Sequence, residues 1–450
     1  MIQKLNLRQY LVIASMIFAL FFGAGNLIFP LHLGQLAGRN WLIATIGFLI
    51  TGVLLPLFSV LAIAITKTDD VYGIAKPVSN LFATCFMILI HLTLGIMCAS
   101  PRTASVSYSV GIAPLLPSKW HNIGLVIFTA IYFILTFIIA YNAGNILENL
   151  GKILNPIFLV LLFLVIIIAL FKPLGNPADF SATASYVHSA GVNGFLEGYN
   201  TIDALAGIAF GVSVISAVKS MGITEKNEVA KITAKSGFIA MTMIGIIYFL
   251  LILLGAMSLG KFKVSAEGGK AFSQIVTYYG GTLGQIVLAI LVTLTCLTTA
   301  VGLVSSFAQD FHSHFGGLKY RKWLAITCFA SFMTANLGLE LIIKWTFAIL
   351  MFLYPIAMVL IILALFSPLF KGDHVVYKVS VVLTIIPAFM DLIAHLPAPI
   401  SETSFCKMII DIRLKYFPLS DIGLSWVFPT LLGIIIATLV HVWRRKNNKI

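Results

Sequence analysis

The sequence predicts an all-α polytopic membrane protein of about twelve transmembrane helices, and three observations carry that prediction. Hydrophobic residues make up 60% of the 450 positions and charged residues only 10%, with a mean hydropathy of +1.02. That balance leaves too little polar surface for a water-soluble globule. Apolar runs of spanning length fall at 8–32, 41–65, 78–110, 122–142, 153–172, 194–218, 231–259, 284–311, 322–337, 341–366, 374–395 and 421–443, the run at 322–337 being the shortest. The charges gather in the short connections between runs. The net charge of +13 is therefore a topology signal and not the clustered basic face of a nucleic-acid reader.

Lys4 and Arg8 precede the first run, but that run exceeds the apolar core of a signal peptide and similar spans follow, so it is predicted as a retained helix. Twelve spans put both termini on one side. Of the 29 Lys and Arg, 18 fall on the side of the termini and 10 on the other, with Arg102 inside a span. The positive-inside rule then places both termini on the cytoplasmic side of the cell membrane. The cysteines, Cys85, Cys98, Cys296, Cys328 and Cys406, show no CxxC or metal spacing, and four of them lie in apolar runs as small core residues.

Within the first run, Phe22-Gly23-Ala24-Gly25-Asn26-Leu27-Ile28-Phe29-Pro30 places two glycines, an asparagine and a proline near mid-membrane. Lipid cannot bond a freed backbone group, so such a break is tolerated only against protein or a water-filled cavity. Freed N–H groups at the start of the outer half-helix suit an anion and loose carbonyls suit a cation; a glycine packing contact with a proline kink is the alternative. Spans one to five (8–172) and six to ten (193–366) have similar lengths, and five spans per repeat would invert the second half. Two accessory helices at 374–443 complete a single membrane domain. An inverted repeat requires a break in the sixth span, and Gly198-Tyr199-Asn200-Thr201-Ile202-Asp203-Ala204-Leu205-Ala206-Gly207 supplies glycines, an asparagine and an acid there. A weaker echo pairs Pro101-Arg102-Thr103-Ala104 with Leu297-Thr298-Thr299-Ala300.

These segments, together with Phe18-Ala19-Leu20-Phe21 before the first break and Cys296-Leu297-Thr298-Thr299-Ala300-Val301-Gly302-Leu303, resemble the bacterial branched-chain amino acid:cation symporters of the BrnQ family. The resemblance spans essentially the whole chain. It implies a five-plus-five inverted repeat with the fold of the bacterial leucine transporter, and uptake of leucine, isoleucine and valine coupled to Na⁺ or, alternatively, H⁺. By similarity to the common sodium site of that fold, Thr298 and Thr299 face carbonyls near Ala19 and Phe22; hydroxyls bonded one turn back are the alternative. The more distant neurotransmitter:sodium symporters carry an arginine after this asparagine. Here Asn26-Leu27-Ile28-Phe29-Pro30 is one residue shorter and lacks it. Some relatives have a second sodium site using an asparagine on span seven, and none lies between Lys231 and Met257.

A zwitterionic amino acid needs donors for its carboxylate, acceptors for its ammonium and an apolar wall for its side chain. Candidate donors are the backbone N–H groups around Gly23, Ala24, Gly25 and Asn26, and candidate acceptors are Asp203 and the carbonyls from Ala204 to Gly207. Phe21, Phe22, Phe29 and Phe210 are available as wall or as helix packing. Arg102 and Asp203 are intramembrane charges and hence candidates for function; they are predicted either to pair as an outer gate or to cap the backbone breaks separately. His32 and His395 lie near span ends, leaving His91 as the intramembrane proton candidate. The segment 396–420, with Pro397, Pro399 and Pro418, reads as an extended extracellular linker. No GxxxxGK[ST], HExxH or GxSxG occurs, which argues against an ATP-driven pump or an intramembrane enzyme, with no cofactor expected beyond the coupling ion. No repeated polar sequence suggests a channel filter. A carrier for another neutral amino acid stays open, as does the oligomeric state.

Overall fold

A backbone surrounded by hydrocarbon must satisfy its own hydrogen bonds, and the described residues of this chain do so with helices and no strand. The computed structural model describes residues 6–447 apart from 24, 69, 142–145, 221 and 224. In chain order the helices are α1 (Leu7–Phe21), α2 (Gly25–Ala37), α3 (Trp41–Leu49), α4 (Leu55–Thr66), α5 (Val71–Ala75), α6 (Asn80–Leu92), α7 (Ala99–Ser107), α8 (His121–Tyr141), α9 (Ile146–Phe171), α10 (Ala184–His188), α11 (Ala190–Glu197), α12 (Asp203–Ser220), α13 (Lys226–Ser258), α14 (Gly268–Phe315), α15 (Tyr320–Ala335), α16 (Leu339–Leu365), α17 (His374–Ala394), α18 (Ala398–Ser401), α19 (Ser404–Tyr416) and α20 (Val427–Lys446). Turns of π-helix join α3 to α4 at Ile50–Leu54, α6 to α7 at Thr93–Met97, and extend α7 at Tyr108–Ile112.

Among the described residues, eight helical stretches are long and apolar enough to cross a bilayer, and Leu7–Phe21 and Pro156–Phe171 are shorter apolar helices. The shortfall from twelve has local causes. The first and sixth apolar runs are each divided between two helices, Gly25–Thr66 counts as one stretch, and α15 has only 16 residues. Conversely, α14 is 48 residues long but bends at Gly281, whose φ of 57° a side chain would oppose.

Helices approach most closely where glycine replaces a side chain. A Cβ at Gly34 of α2 would fall 2.0 Å from the Ile252 carbonyl oxygen of α13, and one at Gly255 of α13 would fall 1.9 Å from that of Leu31. The same arrangement joins α3 to α11, where a Cβ at Gly47 or Gly194 would meet the carbonyl oxygen of Gly191 at 1.8 Å or of Ala44 at 2.0 Å. Water contributes no drive to helix association in lipid, so this close backbone packing carries it. Helix α1 also lies on α13, and α12 on α4.

The segment expected to be an extended linker at 396–420 instead contains α18 and the 13-residue α19. Its prolines bracket the helix, while Cys406 and Arg413, two turns apart, form its buried face. Arg413 reaches the fully buried Asp391 of α17 at 2.6 Å and donates to the Ser420 carbonyl at 2.5 Å, and Ser425 donates to the same carboxylate at 2.7 Å. At the other end of α17, Asp373 caps the helix and meets His441 of α20 at 2.8 Å. Burial works to raise the Asp373 carboxyl, but His441, the Val375 N–H and Arg444 together hold it below its ordinary value. Cys98, Cys296, Cys328 and Cys406 are buried and unbridged, whereas Cys85 is exposed on α6.

Replacing Gly255 with Val should force α13 off α2 and lower the melting temperature in detergent by several degrees, consistent with about 1–3 kcal/mol for overpacking. Gly302→Ala on α14, where a Cβ meets nothing within 4 Å, should leave the melting temperature unchanged or raise it. Equal melting of both variants would remove close glycine packing as the source of stability.

Candidate functional site

The first interruption begins where α1 ends at Phe21; Phe22 turns extended (φ −79°, ψ 97°) and α2 starts at Gly25. Asn26 organises the gap. Its side-chain oxygen accepts from the Gly23 N–H at 3.0 Å, and its own N–H donates to the Gly23 carbonyl at 3.1 Å. Those two N–H groups are thereby directed away from the carbonyls four residues back, those of Ala19 and Phe22. Ala24, a candidate carboxylate donor, lies outside the described residues.

The second interruption follows α11, where a 3-10 turn at Gly198–Thr201 ends on Ile202 at φ 65°, ψ 3°. A buried β-branched residue in the left-handed region is strained, at a cost of order 1–3 kcal/mol. That turn lets α12 begin at Asp203, which is 4% exposed. Asn26 Nδ2 donates to Asp203 Oδ2 at 2.7 Å and also to the Tyr248 hydroxyl, which itself donates to Asp203 Oδ2 at 3.0 Å. One carboxylate oxygen thus joins the start of α2, the start of α12 and the middle of α13.

The break lies earlier than the run from Ala204 to Gly207 suggested. Ala204 and Gly207 fall inside α12, so their carbonyls are committed to helical hydrogen bonds. Gly207 has a packing role, because a Cβ there would meet Ser59 Oγ at 1.8 Å. The carbonyls that leave the helix are those of the 3-10 turn, and Asn200 O accepts from Arg102 Nη1 at 2.6 Å.

Arg102 of α7 is 5% exposed. Its guanidinium carbon lies 4.9 Å from the Phe29 ring centroid, and a Cβ on Gly25 would fall 2.7 Å from Nη2. Among the described residues no ion pair joins Arg102 to Asp203 or to any other carboxylate. The direct gate pair expected from the sequence is not formed: Asp203 takes its hydrogen bonds from Asn26 and Tyr248, and Arg102 takes a carbonyl and a ring face. The two opposite charges instead flank the adjacent residues Gly25 and Asn26. Each costs about 2.5–3.5 kcal/mol at a bilayer centre on insertion scales.

Thr298 and Thr299 of α14 both donate to the Thr295 carbonyl, at 2.8 and 3.1 Å, the bonding one turn back that the sequence left as an alternative. Thr299 also faces the first interruption, with Oγ1 3.8 Å from the Cβ position of Gly23. Phe21, Phe22 and Phe29 are buried and Phe210 is half-buried. His91 lies 2.6 Å from Asp310, His32 3.0 Å from the Ser265 carbonyl, and His395 2.7 Å from the Asp391 carbonyl. Among the described residues no group of three or more His, Cys, Asp or Glu converges as metal ligands. Tyr248 and the Asn200 carbonyl escaped the sequence reading. A tyrosine in mid-span carries a hydroxyl that lipid cannot bond, which was the available signal for Tyr248; a backbone acceptor gives none.

A profile described as "Branched-chain amino acid transport protein" matches residues 6–444. The chain belongs to this family. It is 37% identical over 447 residues to the branched-chain amino acid permease BrnQ of Lactobacillus delbrueckii subsp. lactis, covering 99% of each chain. It is 38% identical over 434 residues to the branched-chain amino acid permease BraB of Bacillus subtilis (strain 168), covering 96% of this chain and 95% of that one. A solved structure, "Inward facing conformation of Mhp1", superposes with a TM-score of 0.58 at 12% identity, covering 97% of this chain and 91% of the other. The family and the fold make the chain a multi-pass secondary transporter with a leucine-transporter-like fold, not an enzyme.

Because Arg102 Nη1 is tied to Asn200, the guanidinium has little freedom to retreat from a new Cβ at residue 25. Gly25→Ala should therefore lower uptake at least tenfold, and Gly25→Val should abolish it, in protein that still inserts and purifies as a single species. Near-normal uptake by either variant would remove the first interruption from the transport site.

Proposed function

We propose that this chain imports branched-chain amino acids, leucine, isoleucine and valine, by symport with Na⁺ across the cytoplasmic membrane. Transport would proceed by alternating access around a mid-membrane site formed by the first, third, sixth and eighth spans. The observation that carries this reading is the bond between the two helix interruptions, Asn26 to Asp203. A substrate there can influence both broken helices at once. Of the four candidate donors Gly23, Ala24, Gly25 and Asn26, the N–H groups of Gly23 and Asn26 bond each other's residue, which leaves those of Ala24 and Gly25 for the carboxylate, and Asp203 offers an acceptor to the ammonium. The names of the family and of its relatives favour branched-chain substrates over other neutral amino acids.

The proposed architecture is twelve spans with both termini cytoplasmic, repeats at 8–172 and 193–366 in opposite orientations, and two accessory helices at 374–443. Reciprocal packing supports the repeat: α1 and α2 lie on α13, while α11 and α12 lie on α3 and α4. The broken helix of each half thus packs on the second span of the other, as a two-fold axis in the membrane plane requires.

For Na⁺, the proposed ligands are the carbonyls of Ala19 and Phe22 and the hydroxyls of Thr298 and Thr299. Proton coupling is the second reading, favoured by the buried Asp203 and by the contact of His91 with Asp310.

Purified protein in proteoliposomes should accumulate labelled leucine when an inward Na⁺ gradient is imposed at equal pH. Accumulation driven only by a pH gradient would exchange the ion and keep the carrier, whereas no uptake of any branched-chain amino acid under either gradient would overturn the function.

Thr298→Val and Thr299→Val each remove a hydroxyl with little change of volume. Each should raise the Na⁺ concentration for half-maximal uptake about tenfold or more, with a smaller change in the leucine requirement at saturating Na⁺. An unchanged Na⁺ requirement in both would exclude these hydroxyls as ligands.

A further inference from the structure

Arg102 and Asp203 are opposite charges, both more than nine-tenths buried, and among the described residues no direct ion pair joins them. The guanidinium packs on Gly25 and the carboxylate bonds the side chain of Asn26, so the two charges address neighbouring residues at the start of one helix. Neither has an oppositely charged side-chain partner among the described residues.

Arg102 is held in place without being neutralised. Asn200 O accepts from Nη1 at 2.6 Å, and the Phe29 ring covers the guanidinium at 4.9 Å. A carbonyl and a ring face carry only partial negative charge, whereas a guanidinium presents a fork of donors matched to a carboxylate. Its Nη2 points toward Gly25, where the absence of a Cβ leaves room for it and where α2 directs the positive end of its dipole. The features converging there are a full positive charge, a helix start and a position without a side chain.

We propose that Arg102 binds the substrate carboxylate while Asp203 receives the ammonium, so that a zwitterionic amino acid bridges the two charges. Arg102 is then a binding residue and not an outer gate. The bridge selects α-amino acids over amines and over carboxylic acids, because a ligand with one charged end leaves the opposite buried charge uncompensated. Asn200 acts through Arg102, linking the turn before α12 to the carboxylate end of the site. The inference rests on the amino acid carrier reading given above.

The test is competition against labelled leucine binding to purified full-length protein, with unlabelled leucine, leucinol, which lacks the carboxylate, and 4-methylpentanoate, which lacks the amine. Wild-type protein should prefer leucine over leucinol by at least a hundredfold. Arg102→Gln should weaken leucine about a hundredfold while leaving leucinol nearly unchanged, so that the preference falls below about tenfold. Arg102→Lys keeps the charge without the fork and should retain part of the preference; if the glutamine variant does not fold, Arg102→Met replaces it and should lose the preference in the same way. Asp203→Asn should lose the preference for leucine over 4-methylpentanoate while keeping that over leucinol. Arg102→Gln with the wild-type preference for leucine over leucinol would overturn the proposal, as would loss of that preference in Arg102→Lys equal to that in a folded Arg102→Gln. No leucine binding by wild-type protein would strike at the carrier reading itself.

Discussion

The constraint on which the centre of this molecule depends is the hydrogen bonding of one carboxylate at a depth where water cannot help. Asp203 Oδ2 accepts from Asn26 and Tyr248, so the carboxylate and its two donors bring together three separate helices. Asn26 can reach it only because α1 has stopped at Phe21, and Asp203 can offer it only because the chain turns through a left-handed Ile202. The strain at Ile202 and the lost helical bonds near Gly23 are local costs. They are offset where the broken ends satisfy one another.

Around that centre, two kinds of contact divide the work. Backbone packing through Gly34 with Gly255, and through Gly47 with Gly194, joins elements from the two halves at distances that leave no room for adjustment. Farther out, the Asp391–Arg413 pair and its serine partners fasten α19 onto α17 with buried polar bonds. Such a pair is weak evidence for stability, but removing one member strands the other charge. It fixes the position of a helix that hydrophobicity alone would hold loosely.

The helices were legible because lipid allows few alternatives: long apolar runs must be helical, and most of their limits lie within several residues of the observed ones, whereas α14 begins at Gly268, well before the run that starts at 284. The segment around Gly23 and Asn26 stood out because two glycines, an asparagine and a proline fall together at mid-span, although glycine alone also serves helix packing. The second interruption was legible in kind and displaced in register, because Gly207 looks like a breaker in sequence and is a contact with Ser59 in space. Arg102 and Asp203 were recognisable as charges inside apolar runs, but their relation was not, since sequence does not reveal that Asn200 offers its carbonyl or that Tyr248 reaches across from α13. The helix α19 was hidden by prolines that mark its ends and not its interior.

The π-turn at Thr93–Met97 stands immediately before the helix that carries Arg102. A turn of this kind holds about one residue more than an α-turn, and each residue of a regular helix rotates the chain by about 100°. Deleting one residue there and letting the turn become regular would keep the span nearly the same length while swinging everything beyond it about a quarter turn around the axis. The guanidinium would then face a neighbouring helix or lipid in place of Gly25. The direction in which this span presents its one buried positive charge is thus a matter of angular phase, set by a single supernumerary residue, and a change invisible to any measure of hydrophobicity would redirect it.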